Sequence, residues 1–204
     1  MLRNSKSFQR KEDRDLFCDF ISPPEVIGTT TAFFDGEIDL DPASSDIANN
    51  FVGANKYFKF EDFGLKQSWK AKNLYLFPPR DVLPGSAYPQ ERKLFVKSKR
   101  FKKSAQRVWL EEAIERYKRN DFEEAIIFLT SAEVALLVTQ KLNIDFPLCI
   151  LKEHPDLRED NRSLKPVNAS KNFGFIYYLP SSINTYERIS TFKDLFSNIG
   201  RCYI

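Results

Sequence analysis

Apolar residues along the chain fall into short compact runs separated by longer stretches with helical spacing, and the two patterns predict different elements. Ile38 to Leu40, Asn73 to Phe77, Glu124 to Thr130, Pro147 to Leu151 and Phe173 to Leu179 are runs rich in aliphatic and aromatic residues, as buried strands are. Lys56 to Phe60 predicts another strand, and Gly200 to Ile204 a terminal one. Ser22-Pro23-Pro24-Glu25 predicts a helix start over residues 24–34, with Ser22 as cap and Pro in the first turn, and Asp35-Gly36 then turns the chain. Asp46 can cap a short helix through Phe51. From Ser104 to Arg119, Leu110, Ile114 and Tyr117 share one helix face, with Trp109 and Ala113 beside them. Ser131 caps a helix carrying Val134, Leu137, Val138 and Leu142, and Phe192 to Ile199 predicts the last helix. Strands alternating with helices give an α/β fold: one mainly parallel twisted sheet with helices on both faces.

Two of the predicted strands end in the same way. Ile38-Asp39-Leu40-Asp41 stops at Pro42, and Asn73-Leu74-Tyr75-Leu76-Phe77 stops at Pro78-Pro79. Proline has no amide hydrogen for a central strand, so both runs must finish there. The carboxyl ends of neighbouring strands in an open α/β sheet are where ligands bind, which makes these two ends the candidate site.

Charge changes the picture locally. The segment from Glu91 to Arg107 holds eight of the 31 basic residues (Arg92, Lys93, Lys97, Lys99, Arg100, Lys102, Lys103, Arg107) and one of the 28 acids. The rest of the chain is therefore slightly acidic, and the net charge of +3 understates a concentrated basic patch. Residues 1–20 are a charged lead-in in which Leu16, Phe17 and Phe20 are the anchors. Residues 21–204 form one domain with a basic loop inserted at about 81–107. No apolar run is long enough to cross a bilayer, and the amino terminus has no signal-type apolar core, which points to a cytoplasmic protein. Cys18, Cys149 and Cys202 have no metal-binding spacing, His154 is the single histidine, and no metal is expected. Cysteines so placed suit reduced intracellular thiols. His154, in Glu153-His154-Pro155-Asp156, has no partner nucleophile at an interpretable spacing and is a loop residue; Trp69 and Trp109 are packing residues.

The order of these motifs resembles the phage-type Dam-like, S-adenosylmethionine-dependent DNA adenine-N6 methyltransferases. The resemblance covers about residue 22 to the carboxyl terminus. It rests on Ser22-Pro23 before the first helix, Leu40-Asp41-Pro42-Ala43, Ala48-Asn49-Asn50, Asp62-Phe63-Gly64-Leu65 and Trp69. Phe77-Pro78-Pro79-Arg80 stands where the family has its catalytic Asn-Pro-Pro-Tyr; Ala125 to Leu129, Ile176-Tyr177-Tyr178 and Phe192 to Gly200 follow. It implies a Rossmann-like methyltransferase domain. It assigns cofactor contacts to Ser22, Pro23, Asp41, Pro42, Ala43 and Asp62, with Asp62 accepting from the adenine amino group. Read from the residues alone, Asp41-Pro42 also suits a plain turn and Asp62 a cap for Gly64-Leu65.

The resemblance breaks at the reaction position. Adenine N6 is a poor nucleophile, and the usual Asn side chain and Pro carbonyl accept its hydrogens while the Tyr stacks on the flipped base. Phe77 cannot accept a hydrogen bond, and Arg80 replaces the ring. Adenine-N6 transfer is expected to be weakened or lost, so the readings are a disabled enzyme, a silent DNA-binding or regulatory subunit and, on fold versatility alone, methylation of another amine. DNA is the expected partner, with an active methyltransferase or another protein subunit as the companion of the silent form. The eight basic residues, interleaved with Phe95 and Phe101, suit phosphate contact. Asp81, next to the motif, and Glu133, after the strand ending at Thr130 on the same sheet edge, are the acids that could compensate, and both suit plain surface positions.

Overall fold

The computed structural model describes residues 20–79, 104–142, 145–159 and 173–204. In chain order their elements are β1 (Phe20–Ile21), α1 (Pro24–Phe33), β2 (Leu40–Asp41), α2 (Asp46–Val52), β3 (Lys56–Tyr57), β4 (Ala71–Leu76), α3 (Ala105–Lys118), β5 (Phe122–Leu129), α4 (Ala132–Leu142), β6 (Leu148–Leu151), β7 (Arg158–Glu159), β8 (Phe175–Leu179), α5 (Thr185–Phe196) and β9 (Gly200–Tyr203). Seven strands form one sheet in the order β3-β2-β4-β5-β8-β6-β9, while β1 and β7 pair separately. β3, β2, β4 and β5 are parallel; β8 is antiparallel to β5 and β6, and β9 is antiparallel to β6. Five of the seven strands thus share a direction, as the α/β reading expects.

Side chains alternate across this sheet, and each face builds its own core. Leu74, Leu76, Ala125, Ile127 and Leu129 face one side, where Val108, Leu110 and Ile114 of α3 and Val134 of α4 cover them. Tyr75, Phe77, Ile126 and Phe128 face the other, under Val26 and Phe33 of α1 and Phe192 and Phe196 of α5. The central strands read as continuous apolar runs because both faces are buried.

Several boundaries differ from expectation for local reasons. Pro23 rather than Ser22 is the cap of α1, and the Ser22 hydroxyl instead accepts from the Tyr75 phenol at 2.7 Å. Ser45, not Asp46, caps α2, its hydroxyl accepting from the Ala48 amide at 2.9 Å. α5 begins at Thr185, well before the expected Phe192, after Asn184 in the left-handed region; its first two turns carry no fully buried apolar residue, so periodicity does not mark them. The caps Ser104 and Ser131 stand where the sequence puts them.

One polar network crosses the second core. Glu124 on β5 is buried, accepts from the Tyr178 phenol at 2.7 Å, and accepts from Nη2 and Nε on one edge of the Arg188 guanidinium at 2.7 and 3.1 Å. Arg188 also donates to the Phe33 carbonyl and stacks over the Phe33 ring at 4.1 Å. Burial and the adjoining carboxylate push the Tyr178 phenol well above its usual range, so it stays a donor. Glu124 and Arg188 border a cavity of about 450 Å³ at the amino edge of the sheet, lined also by Glu37, Lys72 and Asn73. Removing one partner of a buried pair strands the other charge. Arg188→Met is therefore expected to lower stability by about 3–5 kcal/mol, and Arg188→Met with Glu124→Gln to recover much of that loss. Urea denaturation of both variants checks this; equal losses would show that the pair is not coupled.

Candidate functional site

From β2 the chain goes to β3 on one side, then crosses β2 to place β4 on the other. The helices diverge with it: Val52 of α2 joins the core under α1 and α5, whereas α3 packs on the opposite face. A sheet whose connections part to opposite faces leaves a crevice at the carboxyl ends of the two strands between them. β2 and β4 are those strands, paired parallel with Leu40 opposite Leu74. Asp41 and Phe77 thus finish neighbouring strands, as their proline stops predict.

Asp41 is 2% exposed. Its Oδ1 accepts from the Ala43 amide at 3.1 Å, closing the turn through Pro42. Burial pushes the carboxyl up to about 7, against a smaller downward pull from the Ala43 amide and the nearby Ser44 hydroxyl. Ser44 Oγ is itself buried and makes no hydrogen bond of full geometry, while its amide donates to the Phe58 carbonyl at 2.9 Å. A buried acid poised near neutrality beside an unsatisfied hydroxyl is an arrangement suited to a ligand that brings hydrogen-bond donors or positive charge.

The segment after β3 closes over this turn. A Cβ on Gly64 would lie 2.0 Å from the Pro42 carbonyl oxygen, so only glycine allows that approach. Trp69 donates from its indole to the Gly64 carbonyl at 2.8 Å, and Arg116 to the Leu65 and Gln67 carbonyls at 2.9 and 2.7 Å. Arg116 is itself paired with Glu112 at 2.8 Å and lies over the Trp69 ring, which stacks on Trp109 at 5.8 Å. Both tryptophans are packing residues, as expected. Asp62 belongs to this segment, and one of its oxygens caps the Lys59 amide at 2.8 Å. The structure therefore gathers Asp41, Pro42, Ala43 and the Asp62 segment at one edge, and ties Ser22 and Pro23 to β4 through Tyr75.

Phe77 is 3% exposed, its ring 4.9 Å from Phe128 within the second core. Pro78 is buried and Pro79 half-buried. Arg80, Asp81, Arg92, Lys93, Lys97, Lys99, Arg100, Lys102 and Lys103 lie outside the described residues, as do Leu16, Phe17 and Cys18. Both flanks of the basic segment are nevertheless placed at the carboxyl edge, at Pro79 after β4 and at Ser104 before α3. Arg107 is in the first turn of α3, paired with Glu111 at 3.0 Å. Glu133 is exposed on α4, and His154 is exposed in a loop with its ring 6.0 Å from that of Phe173. Among the described residues there is no group of acids, cysteines or histidine able to hold a metal ion, and no helix is long and apolar enough to cross a membrane.

Gln106 is one residue that sequence reasoning missed. Buried beside the edge, it donates to Thr130 Oγ1 at 2.7 Å and accepts from the Thr130 and Ser131 amides at 3.2 and 3.0 Å. It fastens the start of α3 to the end of β5. Nothing local marks it, because its partners are 24 and 25 residues away.

The Asp41 carboxyl has a testable pH signature. Its value rises from 3.8 to about 7 on folding, so between those values the folded state holds a proton that the unfolded chain has released. Stability from this group is therefore full below about pH 4, falls as pH rises, and stops falling above about 7. Asp41→Asn should gain on the wild type through that window, by on the order of 2–4 kcal/mol by pH 8. Urea denaturation of both proteins at pH 5 to 8 measures it, and a difference that shrinks with rising pH contradicts the assignment. No protein-family model matches the chain, and no curated protein or solved structure matches it either.

Proposed function

We propose that the crevice between β2 and β4 binds S-adenosylmethionine, that the basic segment of the sequence binds DNA, and that the chain is a methyltransferase-like binding subunit without adenine-N6 transfer. The observation that carries this reading is the switch point itself, with Asp41 buried at the end of β2 and Phe77 at the end of β4.

The residues fit the cofactor. Asp41 and Ser44 offer acceptor capacity that the protein does not use in full, next to the Pro42 turn. A ligand with an ammonium and a sulfonium centre would complete that capacity and draw Asp41 to its ionised form. Asp62, held against the turn through Gly64, keeps one carboxylate oxygen beyond its cap, and the resemblance gives it the adenine amino group. When bound, the cofactor would supply an electrophilic methyl group.

The acceptor half does not fit an amine to be methylated. A hydrogen-bond acceptor is needed at the strand end, and the Phe77 ring is part of the core. Pro78 contributes a carbonyl, but one acceptor of the two is missing. General acid–base positioning of this kind contributes about 10²–10⁴ in rate. Placing Asn at 77 does not rescue it, because a polar amide would be buried against Phe128. Phe77→Asn should lower the melting temperature and confer no transfer.

Calorimetry with S-adenosylmethionine at pH 7.5 is expected to show binding that Asp41→Asn weakens about 10–100-fold, as loss of a charged hydrogen-bond partner does. Labelled methyl groups should not appear on adenine-containing DNA. A folded protein that does not bind the cofactor, or one that methylates DNA at an ordinary enzymatic rate, would refute the corresponding half.

DNA affinity should fall steeply with salt, since phosphate contacts release counterions. Neutralising Lys97, Lys99, Arg100, Lys102 and Lys103 together should reduce the slope of log K against log salt by up to about 4. An unchanged slope would place the contact surface elsewhere.

A further inference from the structure

Cys149 on β6 and Cys202 on β9 face each other across an antiparallel pair. The ladder identifies the kind of position. Lys152 donates its amide to the Ile199 carbonyl at 3.1 Å, which makes Lys152 and Ile199 a hydrogen-bonded pair. Such pairs alternate with non-hydrogen-bonded ones. Counting inwards, Ile150 and Arg201 are hydrogen-bonded, and Cys149 and Cys202 fall on a non-hydrogen-bonded position. Directly opposite residues there have Cα atoms about 4.5 Å apart and side chains on the same face. That spacing lies within the range a disulfide spans.

The surroundings leave the two sulfurs free to meet. Both are unbonded thiols on the face covered by α5. Cys149 is fully buried and its Sγ points to the Phe196 carbonyl at 3.5 Å, while Cys202 is partly exposed, with Lys193 O at 3.9 Å. A Cβ on Gly200 would lie 2.2 Å from Cys149 Sγ, so glycine at this position is what gives that sulfur its room. Burial and the facing thiol push Cys149 well above its usual range. Solvent exposure singles out Cys202 as the one that meets an oxidant first.

We propose that Cys149 and Cys202 are a redox modification site, closing to a cross-strand disulfide when the folded protein meets a peroxide. The Cys202 thiolate attacks hydrogen peroxide; the S–O bond forms, the O–O bond breaks and hydroxide leaves, giving a sulfenic acid. Cys149 then gives up its proton, its sulfur attacks Cys202 Sγ, and water leaves. The balance is two thiols and one peroxide to one disulfide and two waters. The bond fixes the edge strand β9 to β6 and closes the loop from residue 149 to residue 202, which stabilises chiefly by restricting the unfolded chain.

The test treats the native full-length chain with hydrogen peroxide in a Cys18→Ser background, with the wild type mapped in parallel, and reads products by intact mass and peptide mapping. The expected result is a monomer lighter by two hydrogens, a linked 149–202 peptide pair, and a melting temperature raised by about 5–10 °C that returns on reduction. Cys202→Ser should leave Cys149 inert to an aqueous thiol reagent until the protein is unfolded. Two free thiols after peroxide, accumulation of sulfinic acid at Cys202 without the linked peptides, intermolecular products, or a bond formed only in denaturant would each overturn the proposal.

Discussion

β2 is tied to both of its neighbours through one residue, by backbone and side chain together. β2 is only two residues long, yet it lies between β3 and β4 and carries Asp41. What holds it there is Asp39, just before it. Asp39 Oδ2 accepts from the amides of Lys72 and Asn73 at 3.0 and 2.8 Å. Its own amide donates to the Asn73 carbonyl at 2.9 Å, and its carbonyl accepts from Lys56 at 3.0 Å. One residue therefore ties both neighbouring strands to β2, its backbone bonding to β3 and β4 and its carboxylate adding two bonds to the start of β4. That registration goes with Leu40 opposite Leu74 and brings Asp41 and Phe77 to neighbouring strand ends.

The edge above β2 is held from both sides by buried polar groups that each satisfy several partners. Arg116 fixes the segment carrying Asp62 and Gly64, and Gln106 fixes the start of α3 to the end of β5. Both lie on α3, so the helix that follows the basic segment also braces the site. Residues held this way lose little freedom when a ligand arrives, which favours binding by a prepared surface.

Much of this was legible in the sequence. The proline stops at Pro42 and Pro78 marked the two strand ends, and the apolar runs at Ala125 to Leu129 and Phe175 to Leu179 marked strands buried on both faces. Ser104 and Ser131 marked helix starts. What escaped was set by partners distant in sequence. The Ser22 hydroxyl serves Tyr75 instead of its own helix, Asp39 serves Lys72 and Asn73, and Gln106 serves Thr130. The polar opening of α5 is helical because Arg188 reaches Glu124 and Phe192 and Phe196 anchor the end, neither of which periodicity over its first two turns reveals. The facing of Cys149 and Cys202 needed the register of β9, which no local pattern contains.

The Phe77-Pro78-Pro79 stretch has a structural reading that the residue types alone do not provide. An Asn at the end of a strand is useful only if its amide reaches the crevice; a Phe there has no reason to do so. Phe77 continues the alternation of β4 and adds its ring to Tyr75, Ile126 and Phe128. Burying an aromatic ring stabilises by about 1.5–3 kcal/mol, a large part of the margin of a domain this size. An apolar ring at this position thus serves the core rather than the crevice. Asp41 moves the balance the other way: a carboxylate buried at the neighbouring strand end costs stability at neutral pH. A fold that had lost every use for the crevice would gain by replacing Asp41 as well. That one strand end is apolar and the other still acidic is what the proposed reading explains: a pocket that still takes a ligand beside a reaction position that no longer acts on one.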